Sequence, residues 1–205
     1  MRFGSRVTVT DVLSTFAEAE VSSPRYGRFY EKLLEPATLA RLRAVPAVGW
    51  TDSDRAAAIR VLRSYRGGFI EPLLALGGKW LDGAVAVGEL GDLRTTESPG
   101  FRILSADLRL LSLVVSIEVG GKDEGNLGPA IRSLAAMPDS FAARGRPLLA
   151  GTSRRGPFVV AEGTTRLSAA LLRSRAGAPV PEELPVYVGI QPRLREWGFA
   201  PAIQD

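Results

Sequence analysis

The feature that most constrains this chain is a run near its C-terminal end that passes from an apolar strand through one glycine into a helix. Phe158 to Ala161 are apolar, Gly163 follows one acidic residue later, and Thr164 to Ala170 are suited to a helix. Glycine has no Cβ atom, so it permits a tight turn and a close backbone approach. Together with the elements described below, this run predicts an α/β (α+β) fold in which helices pack on a small mixed sheet.

The turn after this strand also has the chemistry of a phosphate site. A helix start leaves backbone N–H groups unpaired and presents the positive end of the helix dipole. Thr164 and Thr165 add hydroxyl donors, and Arg166 adds a planar guanidinium suited to phosphate oxygens. The sequence therefore predicts that Gly163, Thr164, Thr165 and Arg166 bind phosphate. The alternative is an ordinary capped helix in which Arg166 forms a salt bridge with an acidic residue.

The absence of two residue types narrows the chemistry that this chain can perform. Its 205 residues include no cysteine and no histidine. This excludes disulfides, thiolate zinc sites, thiol nucleophiles and histidine-based triads. Any catalysis must therefore use carboxylates, lysine, hydroxyl groups or a hard metal such as Mg²⁺ with oxygen ligands. The loop from Lys122 to Asn126 offers such ligands, although charged loops of this kind are more often simply solvated.

The chain is mildly basic, with a net charge of +4 and a pI near 9.8. Arginines lie along a predicted helix at residues 55–66 and at Arg154 and Arg155, which suits a nucleic-acid partner. The alternative is that these arginines are solvated surface residues. No window approaches 18 apolar residues, so we expect a cytoplasmic protein with no membrane partner. The sequence leaves the oligomeric state open.

The hydrophobic pattern divides the chain near residue 78. Residues 1–78 are predicted to be a helical N-terminal extension, in which Thr51 caps a helix that ends at Gly67 and Gly68. Residues 79–205 are predicted to form the sheet-containing domain, with a helix that Ser105 caps. The predicted strands of this domain are residues 84–87, 146–150, 157–161 and 184–190, and its clearest helix is residues 164–175.

The order of these elements resembles the ParB/sulfiredoxin-like superfamily over roughly residues 80–190. Val85 to Leu93 look like the opening strand of that family and the leucine-bearing segment after it. Leu108 to Gly120 resemble the helix that closes with a Ser-Ile pair and a glycine. Pro147 to Leu149 and Phe158 to Leu167 resemble the strand pair that leads into the signature turn.

This resemblance implies a nucleotide site. In the superfamily the signature turn contacts the phosphates of ATP, ADP or CTP, which again assigns phosphate binding to residues 163–166. Glu162 would lie near Mg²⁺ or the ribose, or would simply cap or pair. Glu89 and Asp92 follow the opening strand, where the kinase branch of the superfamily places catalytic carboxylates. Glu89 and Glu162 are therefore the candidate catalytic residues, and a solvated carboxylate is the alternative for Glu89.

The sequence also departs from the family pattern. The signature cysteine is missing, so sulfiredoxin chemistry is excluded, and residues 122–146 resemble an insertion. The chain ends about fifteen residues after the last strand, so we expect no helix-turn-helix region and no partition role. The resulting hypothesis is nucleotide binding, with a phosphotransferase or nucleotide hydrolase as its enzymatic form. A DNA-binding or nuclease protein and a non-catalytic regulatory module are the alternatives.

Overall fold

The computed structural model describes residues 1–120, 125–137 and 145–202, and its centre is a six-stranded mixed sheet. The strand order is β1-β2-β6-β4-β5-β3. β4 is parallel to β6 and β3 is parallel to β5, whereas the other neighbours are antiparallel. The strands are β1 Arg2–Val7, β2 Lys79–Ala86, β3 Arg94–Thr95, β4 Leu148–Gly151, β5 Phe158–Glu162 and β6 Glu183–Ile190.

Helices cover both faces of this sheet, which confirms the predicted α/β class. Short 3-10 segments at Ala47–Gly49, Val87–Asp92 and Leu194–Glu196 join some of the elements. The described α-helices are α1 Val9–Val21, α2 Gly27–Leu33, α3 Pro36–Ala44, α4 Asp52–Ala75, α5 Pro99–Leu104, α6 Leu110–Glu118, α7 Leu127–Ala135 and α8 Thr164–Arg175.

The sheet separates two hydrophobic cores. One face, which we call the N-terminal face, packs against α1–α4 and includes Trp80, Leu148 and Val159. The other, which we call the α5–α8 face, includes Leu149 and Val188 and packs against the later helices. Alternate residues of a strand point to opposite faces, so β2, β4 and β5 each supply residues to both cores. The N-terminal region therefore shares a sheet and a core with the rest of the chain.

The beginning of the chain differs from the helical extension that the sequence predicts, because residues 2–7 form strand β1 along the edge of β2. α1 then begins after Thr8, whose hydroxyl accepts a hydrogen bond from the Asp11 N–H at 3.1 Å. The Asp11 carboxylate accepts one from the Thr8 N–H at 3.0 Å in return. This reciprocal pair is a capping box, which satisfies donors at the start of the helix.

The long helix α4 begins as predicted and ends later than predicted. Thr51 accepts a hydrogen bond from the Asp54 N–H, but the helix continues through Gly67 and Gly68 to Ala75. Two glycines cost a helix about 2 kcal/mol in total. Complete burial of Ile70 and Leu73 beyond them stabilises the helix by about 1.5–3 kcal/mol each. Tertiary packing therefore outweighs the local stop signal.

The structure also contradicts the predicted start of the helix at Ser105. Ser105 follows α5, and α6 begins at Leu110. The Asp107 carboxylate accepts hydrogen bonds from the Ser105 hydroxyl and the Arg109 N–H, both at 2.9 Å. These bonds hold a turn between two short helices where one helix was expected.

The last segment of the chain packs on the N-terminal face. Trp197 is 1% exposed, and its indole Nε1–H donates a hydrogen bond to the Phe69 carbonyl of α4 at 3.0 Å. Its ring also contacts those of Phe69 and Phe199. In the residues that the structure describes, no helix is both long enough and apolar enough to span a bilayer.

Candidate functional site

A cavity of about 430 Å³ lies where α1 meets one end of the sheet. It forms because α1 and the segment at residues 46–48 do not close completely over the adjacent strands. Its walls combine apolar groups with charged ones. The lining residues are Asp11, Ser14, Thr15, Glu18, Pro46, Ala47, Val48, Arg55, Gly145, Arg146, Pro147, Arg166, Leu167, Leu184, Pro185 and Tyr187.

The predicted strand, glycine turn and helix lie beside this cavity. Gly163 has a φ of +90°, and a Cβ atom there would lie 2.8 Å from the Cβ of Pro147. Both the left-handed backbone and this close approach require glycine. α8 then begins at Thr164 as predicted. The turn thus brings the start of α8 against the segment that precedes β4.

Arg166 is the member of this turn that lines the cavity, and it is held from within the protein. Its Nη2 donates to Glu162 Oε2 at 2.6 Å, and its Nη1 donates to the carbonyl of Gly145. The side chains of Arg166 and Glu162 are 14% and 16% exposed. This arrangement is the salt bridge that the sequence offered as the alternative to direct phosphate binding.

The remaining predicted site residues occupy two places. Thr164 and Thr165 are partly buried at the start of α8 and are not among the residues that line the cavity. Glu89 lies in the 3-10 segment after β2, where it accepts hydrogen bonds from the Met1 amino group and the Ala86 N–H. These contacts lower the pKa of Glu89. Glu89 and Glu162 are therefore not brought together around the cavity.

Arg146 is a cavity residue that the sequence did not single out. Its guanidinium lies 5.1 Å from the centre of the Tyr187 ring, and its Nη1 donates to the Asp82 carboxylate. The side chain is 40% exposed. Cation–π contact and one ion pair hold the group in place while part of it faces the cavity. The only signal in the sequence was its position just before the apolar strand β4.

The part of the cavity wall that α1 supplies includes two acidic residues, Asp11 and Glu18. Asp11 has a lowered pKa, chiefly because the Thr8 hydroxyl donates to it, with a smaller contribution from the Arg55 guanidinium. Glu18 is also buried there. The Ser14 hydroxyl is buried at the same wall and has no hydrogen-bond partner among the described residues. An unpaired buried hydroxyl costs free energy, so this group is available to a ligand.

A second buried polar cluster lies on the other side of α1. The Tyr65 hydroxyl donates to the Glu20 carboxylate, and Arg66 Nε lies 3.4 Å from the same group. Burial raises the pKa of Glu20 to about 7, against the lowering effects of Tyr65 and Arg66. The negative charge of the Glu162 carboxylate contributes to this rise. The N-terminal face thus buries charge in two neighbouring places.

The basic helix predicted as a nucleic-acid surface is largely engaged within the protein. Arg63 pairs with Glu71 at 2.6 Å, and Arg66 lies over the rings of Phe16, Tyr26 and Phe69. Arg55 donates to backbone carbonyls and lies 3.7 Å from Asp11. Arg154 and Arg155 are exposed in the β4–β5 turn. Nucleic-acid binding therefore stays a prediction.

No group of three or more carboxylates among the described residues is placed to hold a metal ion. Lys122, Asp123 and Glu124, which belong to the loop that the sequence offered either as metal ligands or as a solvated loop, lie outside the described residues. Comparison of the chain with protein-family models, with curated proteins and with solved structures gave no match. The resemblance to the ParB/sulfiredoxin-like superfamily therefore remains an inference from the sequence.

Proposed function

We propose that this chain binds an anionic organic ligand, of the size of a mononucleotide, in the cavity between α1 and the sheet. Nucleotides of the ATP or CTP type remain the class expected from the sequence. The volume of about 430 Å³ lies in the usual range for small-ligand sites, about 300–1,000 Å³. Apolar walls with a few polar groups suit a ligand that combines a ring with a charged group.

The observation that carries the proposal is the hydrogen bonding of the Arg146 guanidinium. A guanidinium has five N–H donors, and Asp82 is the single hydrogen-bond acceptor for this one among the described residues. Tyr187 supports the plane of the group from one side. Arg146 can therefore keep both contacts and still donate to a phosphate oxygen. Hydrogen bonds between charged groups of this kind are the strong ones in proteins.

In this proposal the Gly163 turn supports the ligand-binding arginine and does not itself supply the main cation. Arg166 donates to the carbonyl of Gly145, which is the residue immediately before Arg146. The buried pair of Arg166 and Glu162 thereby fixes the segment that carries Arg146. Thr164 and Thr165 do not line the cavity, and their contact with phosphate stays a separate prediction from the sequence. We attribute binding to the site and assign no reaction to it.

Calorimetric titration and thermal unfolding with AMP, CMP, ATP and CTP, each with and without Mg²⁺, test the proposal. A bound ligand raises the melting temperature because it binds the folded state alone. We expect Arg146→Ala to weaken binding by about 10-fold to 100-fold, which corresponds to one charge-assisted contact.

The matched control is Arg193→Ala. Arg193 is an exposed arginine that pairs with Glu196 and does not line the cavity. This variant should bind every ligand as tightly as the unmodified chain. The proposal is wrong if none of the nucleotides shifts the melting temperature, or if Arg146→Ala binds them without loss.

A further inference from the structure

A second cavity, of about 260 Å³, lies on the other side of Arg146. Arg146 and Pro185 line both cavities, so the two spaces adjoin at these residues. The second space is more polar, because much of its surface is backbone and charged side chains. Its lining residues are Arg2, Gly4, Asp82, Gly83, Ala84, Arg146, Glu183 and Pro185.

An irregularity in the sheet creates the floor of this second cavity. Phe3 pairs with Gly83 and Arg6 pairs with Leu81, so two residues of β1 lie opposite Asp82 alone. Two residues of one strand opposite a single residue of its neighbour form a β-bulge, which bends an edge strand and redirects side chains. A Cβ atom at Gly83 would lie 2.7 Å from the Arg2 carbonyl. Gly4 and Gly83 therefore line the cavity with backbone atoms alone.

Two arginines face this floor from opposite sides, and each has an exposed ion pair. Arg2 lies 2.6 Å from Glu183, with side chains that are 68% and 45% exposed. The side chains of Arg146 and Asp82 are 40% and 42% exposed. Exposed pairs of this kind contribute little free energy, so the arginines can also donate to a ligand at low cost.

We propose that the two cavities are compartments of one ligand site, and that the second compartment holds the outer phosphates of a nucleoside diphosphate or triphosphate. Arg146 lies between the compartments and binds the phosphate nearest the nucleoside. Arg2 binds the outer phosphates. This inference rests on the proposed function, because it extends the same ligand beyond Arg146.

The dependence of affinity on phosphate number tests this extension. Adenosine and cytidine monophosphates, diphosphates and triphosphates are titrated in EDTA, and inorganic tripolyphosphate is titrated alone. The triphosphates should bind about tenfold tighter than the monophosphates. Arg2→Ala should remove this difference and leave monophosphate binding unchanged. It should also weaken the binding of tripolyphosphate.

Glu183→Gln is the second variant, since it removes the carboxylate that competes for Arg2 and keeps a side chain of the same size. It should bind triphosphates as tightly as the unmodified chain or more tightly. Loss of triphosphate binding in this variant would contradict the inference. A melting temperature for each variant without ligand shows that it is folded.

The outcomes separate this inference from the proposed function. Equal affinity for one, two and three phosphates overturns the second compartment and leaves binding in the first cavity intact. A uniform loss for all ligands in Arg2→Ala overturns it as well, because a compartment for outer phosphates requires a selective effect. If no phosphate compound binds at all, the proposed function and this extension are both wrong.

Discussion

The two faces of the sheet bury different kinds of groups, although the same strands supply both. The core of the α5–α8 face consists of aliphatic side chains with Phe158. The N-terminal face has an aromatic and aliphatic core of similar extent. In the described part of the chain, however, its helices α1 and α4 also carry every buried carboxylate residue, namely Glu18, Glu20 and Asp54.

This difference shows where packing alone explains the structure and where it does not. Burial of a charge costs free energy unless a partner compensates for it. The described residues of the α5–α8 face include no buried carboxylate. The N-terminal face does bury carboxylates, and it also borders a cavity lined by arginines and by the unpaired Ser14 hydroxyl. The N-terminal face is therefore the one on which we expect substitutions to change ligand binding as well as stability.

The largest effect is expected where the N-terminal face joins the turn before α8. Arg166→Met leaves the largely buried Glu162 carboxylate without its cation. We therefore expect the free energy of unfolding to fall by about 2–4 kcal/mol. Chemical denaturation measures this change. The double variant Arg166→Met with Glu162→Gln should lose less, because no buried charge remains. A double variant that is as unstable as the single one would show that the ion pair is not the cause.

The next effect is a pH dependence from Glu20. Its pKa is about 7 in the folded chain and 4.5 ordinarily, so the folded state favours the protonated form. The stabilisation is complete below pH 4.5 and is lost as the pH rises through 7. Over this range it amounts to about 3 kcal/mol at most. Denaturation curves from pH 4 to pH 8 should show the decrease.

Glu20→Gln should remove this part of the pH dependence. Glu196→Gln is the control, because Glu196 is exposed and its pKa is lowered by Arg193. The control variant should follow the unmodified chain between pH 4.5 and 7. If Glu20→Gln keeps the full dependence, another group is responsible.

The smallest effect compares one buried serine from each side of the molecule. Ser14 and Ser168 both have buried hydroxyls without a partner among the described residues, but only Ser14 lines the cavity. Replacement of either by alanine should stabilise the unliganded chain by about 1 kcal/mol. Ser14→Ala should also weaken nucleotide binding, whereas Ser168→Ala should not. Equal binding by the two variants would exclude Ser14 from the ligand site.

The elements that the sequence predicts best are those whose signals are local. The strand, glycine turn and helix at residues 158–175 could be predicted because apolar run, turn residue and helix start follow one another directly. Strand β1 could not, because most of its residues are exposed and it exists only through pairing with β2. The length of α4 was missed because distant packing at Ile70 and Leu73 overrides two glycines.

The same contrast between local sequence signals and long-range contacts applies to the candidate site. The sequence predicts that the turn before α8 binds phosphate; in the structure Arg166 lines the cavity, and phosphate binding by the turn is not tested. The sequence offered no indication of Arg146, because that assignment depends on Asp82, which lies 64 positions away, and on the ring of Tyr187. Contacts of this kind arise only when the strands are aligned. Phosphate binding by Thr164 and Thr165 stays a prediction.

The indole of Trp197 on α4 has a practical consequence for spectroscopy. The chain has three tryptophans, and all of them, Trp50, Trp80 and Trp197, are buried in the core under α1–α4. Tryptophan fluorescence therefore reports on the core under α1–α4 and does not report directly on the core under α5–α8. Circular dichroism reports on the helices of both. Coincident transitions from the two signals would establish that the cores unfold as one cooperative unit.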